Sequence, residues 1–155
     1  FTGISRLWHL SFADPSDVTK GGTATVPVSS PAYDAAAGSA GQRGPRMMDN
    51  MTVNSRGQVL LQEDPGGQDY LAGLFQYDPA SKALAKIAQH DPNRFVPGAK
   101  NFLTRDEESS GIIPAPWLGA GKYLLDVQAH YATDAETVEG GQLLVLSVPP
   151  GKPVR

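Results

Sequence analysis

Acidic and amide side chains gather at a few points along the 155-residue chain: Asp49-Asn50, Glu63-Asp64, Asp106-Glu107-Glu108, and the run from Asp126 to His130. Carboxylates and amide carbonyls are oxygen donors of the kind that Ca²⁺ collects, about six to eight at a time. Three consecutive acids at 106–108 repel one another, a cost that a bound cation or a neighbouring base removes, and Arg105 directly precedes them. Asp49, Asn50, Glu63 and Glu108 are therefore the candidate ligands of a hard cation. Of the three histidines, His9 falls mid-strand and His90 ends a strand beside Asp91-Pro92, both structural placements. His130 ends a strand that leads back to the acids, and with Glu107 it forms the candidate catalytic pair. The plain alternative is that these acids are solvated loop charges.

Other chemistries lack their residues. The chain has no cysteine, so it holds no disulfide, thiolate metal site or cysteine nucleophile. No nucleophile elbow, phosphate-binding glycine loop or His-Glu-x-x-His motif occurs. Lys and Arg number 13 against 16 Asp and Glu, leaving no basic surplus for nucleic acid or an anionic membrane. The longest apolar stretch, Gly111 to Gly121, is broken by Pro114 and Pro116 and is shorter than the ~18 residues of a membrane span. The first residue is Phe1, with no signal segment after it, so the expected start of the natural protein lies upstream.

The elements that must position the acids read as short strands, because β-branched and aromatic residues recur between Gly and Pro clusters. Nine runs are marked: Ser5 to Phe12, Thr23 to Val28, Asp49 to Val53, Gln58 to Glu63, Gly73 to Tyr77, Leu84 to Gln89, Gly111 to Ile113, Lys122 to Ala129 and Gln142 to Val148. Asn54-Ser55-Arg56-Gly57 and Asp78 to Lys82 are hairpin connections, so neighbouring strands should be antiparallel. Residues 29–46, rich in Ala, Gly, Ser and Pro, read as a loop or linker.

An internal repeat organises these strands. Gly57-Gln58-Val59-Leu60-Leu61 returns 64 residues later as Gly121-Lys122-Tyr123-Leu124-Leu125. A period of four short antiparallel strands is that of a β-propeller blade. The expected fold is all-β, a partial β-propeller of two to three antiparallel four-stranded blades, with a small β-sandwich as the alternative. Residues 1–28 would supply the outer strands of one blade, 47–90 a complete blade, and 91–155 a further partial blade with a C-terminal tail. In this register the acid-bearing loops emerge on one face, at the mouth of a channel. The remainder of the ring, or another chain, is the expected partner.

The run Met48-Asp49-Asn50-Met51-Thr52-Val53-Asn54-Ser55-Arg56-Gly57-Gln58-Val59-Leu60 resembles a blade of PhoX-type alkaline phosphatases and related phytase-like propellers. Glu107-Glu108-Ser109-Ser110-Gly111 is similar to that family's Cys-Glu-hydrophobic-Thr-Gly segment, and Leu125 to His130 is similar to its Asn-Ile-Gln-His strand. The resemblance covers residues 48–148 and implies a periplasmic or extracellular phosphomonoesterase that uses Ca²⁺ with iron. It places Glu108 among the metal ligands, with Asn50 and His130 nearby. Glu107 stands where the family has cysteine, Met51-Thr52 replaces Pro-Asp, and one residue is inserted before His130. These departures argue against iron and leave a Ca²⁺-dependent phosphoester hydrolase beside a non-catalytic propeller segment as the two expectations.

Overall fold

The structure, a computed structural model, describes residues 4–31 and 43–149. Much of the expected 29–46 loop thus lies outside the described residues. Nine strands are present among the described residues: β1 (Arg6–Phe12), β2 (Gly22–Ser29), β3 (Met48–Val53), β4 (Val59–Glu63), β5 (Gly73–Asp78), β6 (Ala83–Gln89), β7 (Glu107–Pro114), β8 (Lys122–Ala132) and β9 (Glu139–Ser147). They form three antiparallel sheets in chain order, β1-β2, β3-β4-β5-β6 and β7-β8-β9, with no closed barrel. The chain is all-β, as the turn-bounded strand pattern implies. Successive meanders are what a partial propeller requires, and they also suit a layered sandwich.

Local chemistry accounts for the connections. In the β3–β4 hairpin the Asn54 side chain accepts the N–H groups of Arg56 at 2.9 Å and Gln58 at 3.1 Å. Gly57 takes φ +76°, a left-handed conformation open to it because it lacks a Cβ. In the β5–β6 turn the Asp78 carboxylate accepts from the N–H of Ala80 at 2.9 Å and of Ser81 at 3.3 Å. Residues 84–89 are strand, paired along β5. The one-turn helix Pro92–Phe95 starts at Asp91, whose side chain accepts the Asn93 N–H at 2.8 Å, with proline at the first turn.

The middle sheet is covered on both faces. Leu61, Phe75 and Tyr77 pack with Val28 of β2, whereas Leu60 and Leu74 pack with Ile112, Tyr123 and Leu125 of the third sheet. Period-two alternation along β4 sends adjacent leucines into different cores. The repeated segments occupy equivalent places: β4 and β8 are each the second strand of their own sheet. The outermost faces differ, for Trp8 and Leu10 on β1 and Leu143 and Val145 on β9 are exposed.

The largest departure from the expected elements is β7, which begins at Glu107 rather than Gly111. The Glu-Glu-Ser-Ser start has little intrinsic strand preference, and cross-strand pairing of Glu107 with Ala129 and of Glu108 with Gln128 decides its conformation. His130 accordingly lies within β8, which runs on to Ala132.

Because both faces of β4 are buried, Leu60→Ala and Leu61→Ala should each destabilise the protein by about 2–5 kcal/mol. Leu143→Ala, on an exposed face, should cost under about 0.5 kcal/mol. Urea melts of the three variants check this, and a silent Leu60→Ala would mean that the second and third sheets do not share a core.

Candidate metal centre

Three carboxylates converge from two sheets: Asp49 on β3, Asp64 immediately after β4, and Glu108 on β7 offer ligand oxygens within 4.8 Å of one another. What brings β7 to this place is a polar tie between the sheets. Buried Gln62 on β4 donates through Nε2 to Ser109 Oγ at 2.5 Å and to the Ser110 carbonyl at 3.1 Å. Those two residues follow Glu108, so this tie, with the Leu60–Ile112 core behind it, sets the acid beside Asp49 and Asp64. Asp64 is held from the other side by its N–H, which donates to the Met47 carbonyl at 2.9 Å.

Within the cluster the electrostatic effect is seen at Glu108. Burial pushes Glu108 from its ordinary 4.5 up to about 7, aided by a hydrogen bond with Asp64 and by the charges of Asp64 and Asp49, while His130 opposes the shift. Gln128, directly across the hairpin, donates through Nε2 to Glu108 Oε1 at 2.7 Å. Asn50 Nδ2 donates to Asp49 Oδ1 at 2.9 Å. His130 is drawn downward by burial, but the hydrogen bond to Glu139 at 3.0 Å and the charges of Glu139, Asp106 and Glu108 more than offset this and raise its pKa.

The four expected ligands divide. Asp49 and Glu108 are in the cluster, and Asn50 is bonded to Asp49. Glu63 is elsewhere: fully buried, it binds the Arg43 guanidinium through both oxygens at 2.5 and 2.8 Å. It also accepts the N–H groups of Arg46 at 2.6 Å and Gly73 at 2.7 Å. That carboxylate is spent on joining residues 43–46 to β4 and β5. Alternation explains the outcome, since Glu63 follows Leu61 onto the face toward the first sheet, while Asp64 lies past the strand end. The residue that sequence spacing passes over is thus Asp64, and strand parity was the signal for it.

The expected catalytic pair is also separated in role. Glu107 is buried and accepts the Ala72 N–H at 3.0 Å, with His90 Nδ1 3.6 Å from Oε1. His130 instead engages Glu139, and alternation sends Glu107 and Glu108 to opposite faces of β7. Arg105 pairs with Asp69 rather than with the acids that follow it.

Gly111, at φ +56°, completes the local arrangement. β7 bulges past β8 at this point, and a Cβ there would lie 2.1 Å from Asp126 Oδ1, so a larger residue would require the Asp126 side chain to move aside. Compared with family models, with curated proteins and with solved structures, the chain matches none.

Two outcomes follow from these charges. Glu108 has a folded pKa above its unfolded one, so its contribution to stability is present below about pH 4.5 and is lost as pH rises through about 7. In chelator, Glu108→Gln should therefore gain stability relative to the parent at pH 8 and not at pH 4.5, a difference that thermal melts at the two values read out. Glu63→Gln should destabilise at neutral pH by about 3 kcal/mol, because it breaks a largely buried ion pair. A neutral result in denaturant titration would remove Glu63 from its structural role.

Proposed function

We propose that the chain is the cation-binding part of a Ca²⁺-dependent phosphoester hydrolase with propeller-like sheets. The observation that carries this reading is the convergence of Asp49, Asp64 and Glu108 within 4.8 Å. Burial, aided by the neighbouring acids, raises the Glu108 pKa to about 7, and a divalent cation would displace its proton and bind all three carboxylates. The donor set is entirely oxygen, which suits Ca²⁺ rather than iron. Asn50 and Gln128 sit beside the acids and would orient them through their amides.

A bound cation would polarise a phosphoryl oxygen and acidify a water. His130, whose pKa is raised, would carry a proton toward a departing alkoxide, with Glu139 holding its Nδ1 and leaving Nε2 for that transfer. The resemblance to PhoX-type phosphatases supports the substrate class and a periplasmic or extracellular setting.

Calorimetric titration with Ca²⁺ at pH 7.5 should give a saturable binding heat accompanied by proton release. Glu108→Gln and Asp64→Asn should each weaken binding about tenfold or more. Equal affinity in both variants would leave these acids as surface charges. Hydrolysis of an alkyl phosphate such as glycerol phosphate, whose alkoxide must take up a proton as it departs, should follow Ca²⁺ occupancy and fall about a hundredfold in His130→Ala; binding without any hydrolysis would reduce the site to a structural one.

The second reading, a non-catalytic propeller segment, is favoured by the exposed side chains of the two end sheets. Trp8 is 59% and Leu143 78% exposed, on sheets whose outer faces carry no covering layer among the described residues.

A further inference from the structure

The two faces of β8 carry different duties near its end. Gln128 and His130 emerge on the face of Glu108, whereas Val127, Ala129 and Tyr131 emerge on the other, against Phe95. The ladder is irregular there. Ala129 pairs with Gly140 and Ala132 with Glu139, so His130 and Tyr131 form a bulge with no opposite residues on β9. A bulge bends its strand and re-aims the side chains it carries. The Tyr131 ring lies directly over Gly140, and a Cβ at residue 140 would fall within the ring. Gly140 is not left-handed, so the ring rather than the backbone conformation is what calls for glycine. The same ring packs against Phe95, Val127 and Ala129, which stops it from swinging away. The bulge is tied on its β7 side as well, where the His130 N–H donates to the Asp106 carbonyl at 2.9 Å.

We propose that Tyr131 and Gly140 are positioning residues: the ring seated on the glycine locks the bulge, so that His130 keeps Nδ1 on Glu139 and holds Nε2 open on the face of Glu108. The pleat provides the coupling. Tyr131 and Gly140 lie on one face and their chain neighbours His130 and Glu139 on the other, so fixing the first pair fixes the second. The return of the chain to Glu139 shows how closely this is set. Val138 takes φ +59°, a left-handed conformation that a β-branched residue rarely adopts, and its N–H donates to the Asp134 carbonyl at 3.0 Å. The Asp134 carboxylate accepts the N–H groups of Glu136 and Thr137, each at 2.9 Å. A strained residue held by its surroundings in this way brings Glu139 Oε2 to 3.0 Å from His130 Nδ1. The inference rests on the reading of His130 as the proton donor and adds the residues that aim it.

The test uses the full chain and two readouts. Nitrogen NMR of the imidazoles at pH 9 in chelator shows which nitrogen of His130 carries the proton, and glycerol phosphate hydrolysis in Ca²⁺ gives kcat and KM. In the parent the proton should reside on Nδ1, as the bond to Glu139 requires. Gly140→Ala pushes the ring aside, and Tyr131→Leu removes it while keeping an apolar contact. Each should lose the Nδ1–H preference and lower kcat about tenfold, with KM and Ca²⁺ affinity changed less than about twofold. Tyr131→Phe, which keeps the ring, should retain the parent tautomer. A parent that carries its proton on Nε2 would overturn the proposal, as would an unchanged tautomer in both Gly140→Ala and Tyr131→Leu. So would equal loss in Tyr131→Phe and Tyr131→Leu, or a fall in Ca²⁺ affinity as large as the fall in kcat. If Gly140→Ala fails to fold, the contrast between Tyr131→Leu and Tyr131→Phe decides. A parent that hydrolyses nothing would remove the proposed reaction alone, because the tautomer measurement judges the positioning without it.

Discussion

Burial of both faces of β4 is the constraint on which the remainder of the molecule depends. Four consecutive residues, Leu60, Leu61, Gln62 and Glu63, are buried, and the pleat sends them alternately toward the third and the first sheet. Leu60 and Leu61 supply the apolar contact on each side. Gln62 and Glu63 supply the polar one, Gln62 to Ser109 and Glu63 to Arg43. A buried amide and a buried carboxylate are costly unless bonded, so each specifies its partner more sharply than a leucine does. The stack of sheets is thereby registered as well as held.

Charge in this molecule is sorted by the same pleat. Glu63 meets a guanidinium and two backbone amides and is neutralised inside the fold. Asp64, one residue on, lies instead with Asp49 and Glu108. On β7 the division recurs, with Glu107 inward on the Ala72 amide and Glu108 beside the other acids. One carboxylate of each adjacent pair thus serves the fold, and the other stands in the acidic cluster. Glu108, raised to about 7 chiefly by burial, can exchange its proton for a cation near neutrality, which is why the cluster rather than the buried pair carries the functional reading.

The sequence by itself determined the class of fold and the order of its strands. Turn chemistry at Asn54–Gly57 and 78–82, β-rich runs between, and the repeat of Gly57–Leu61 at Gly121–Leu125 are all local signals. The antiparallel meanders follow from them. It also marked where acids cluster along the chain. What it left undecided was which member of each acidic pair faces which sheet, since a shift of one residue reverses the side on which a side chain emerges. The choice of Asp64 over Glu63, the extension of β7 through Glu107 and Glu108, and the departure of Arg105 to Asp69 were settled by contacts between residues 20 to 47 positions apart. Such contacts exist only once the sheets have stacked, because the desolvation that drives Glu63 to Arg43 and Glu108 toward its proton arises from burial that no short stretch of chain can provide.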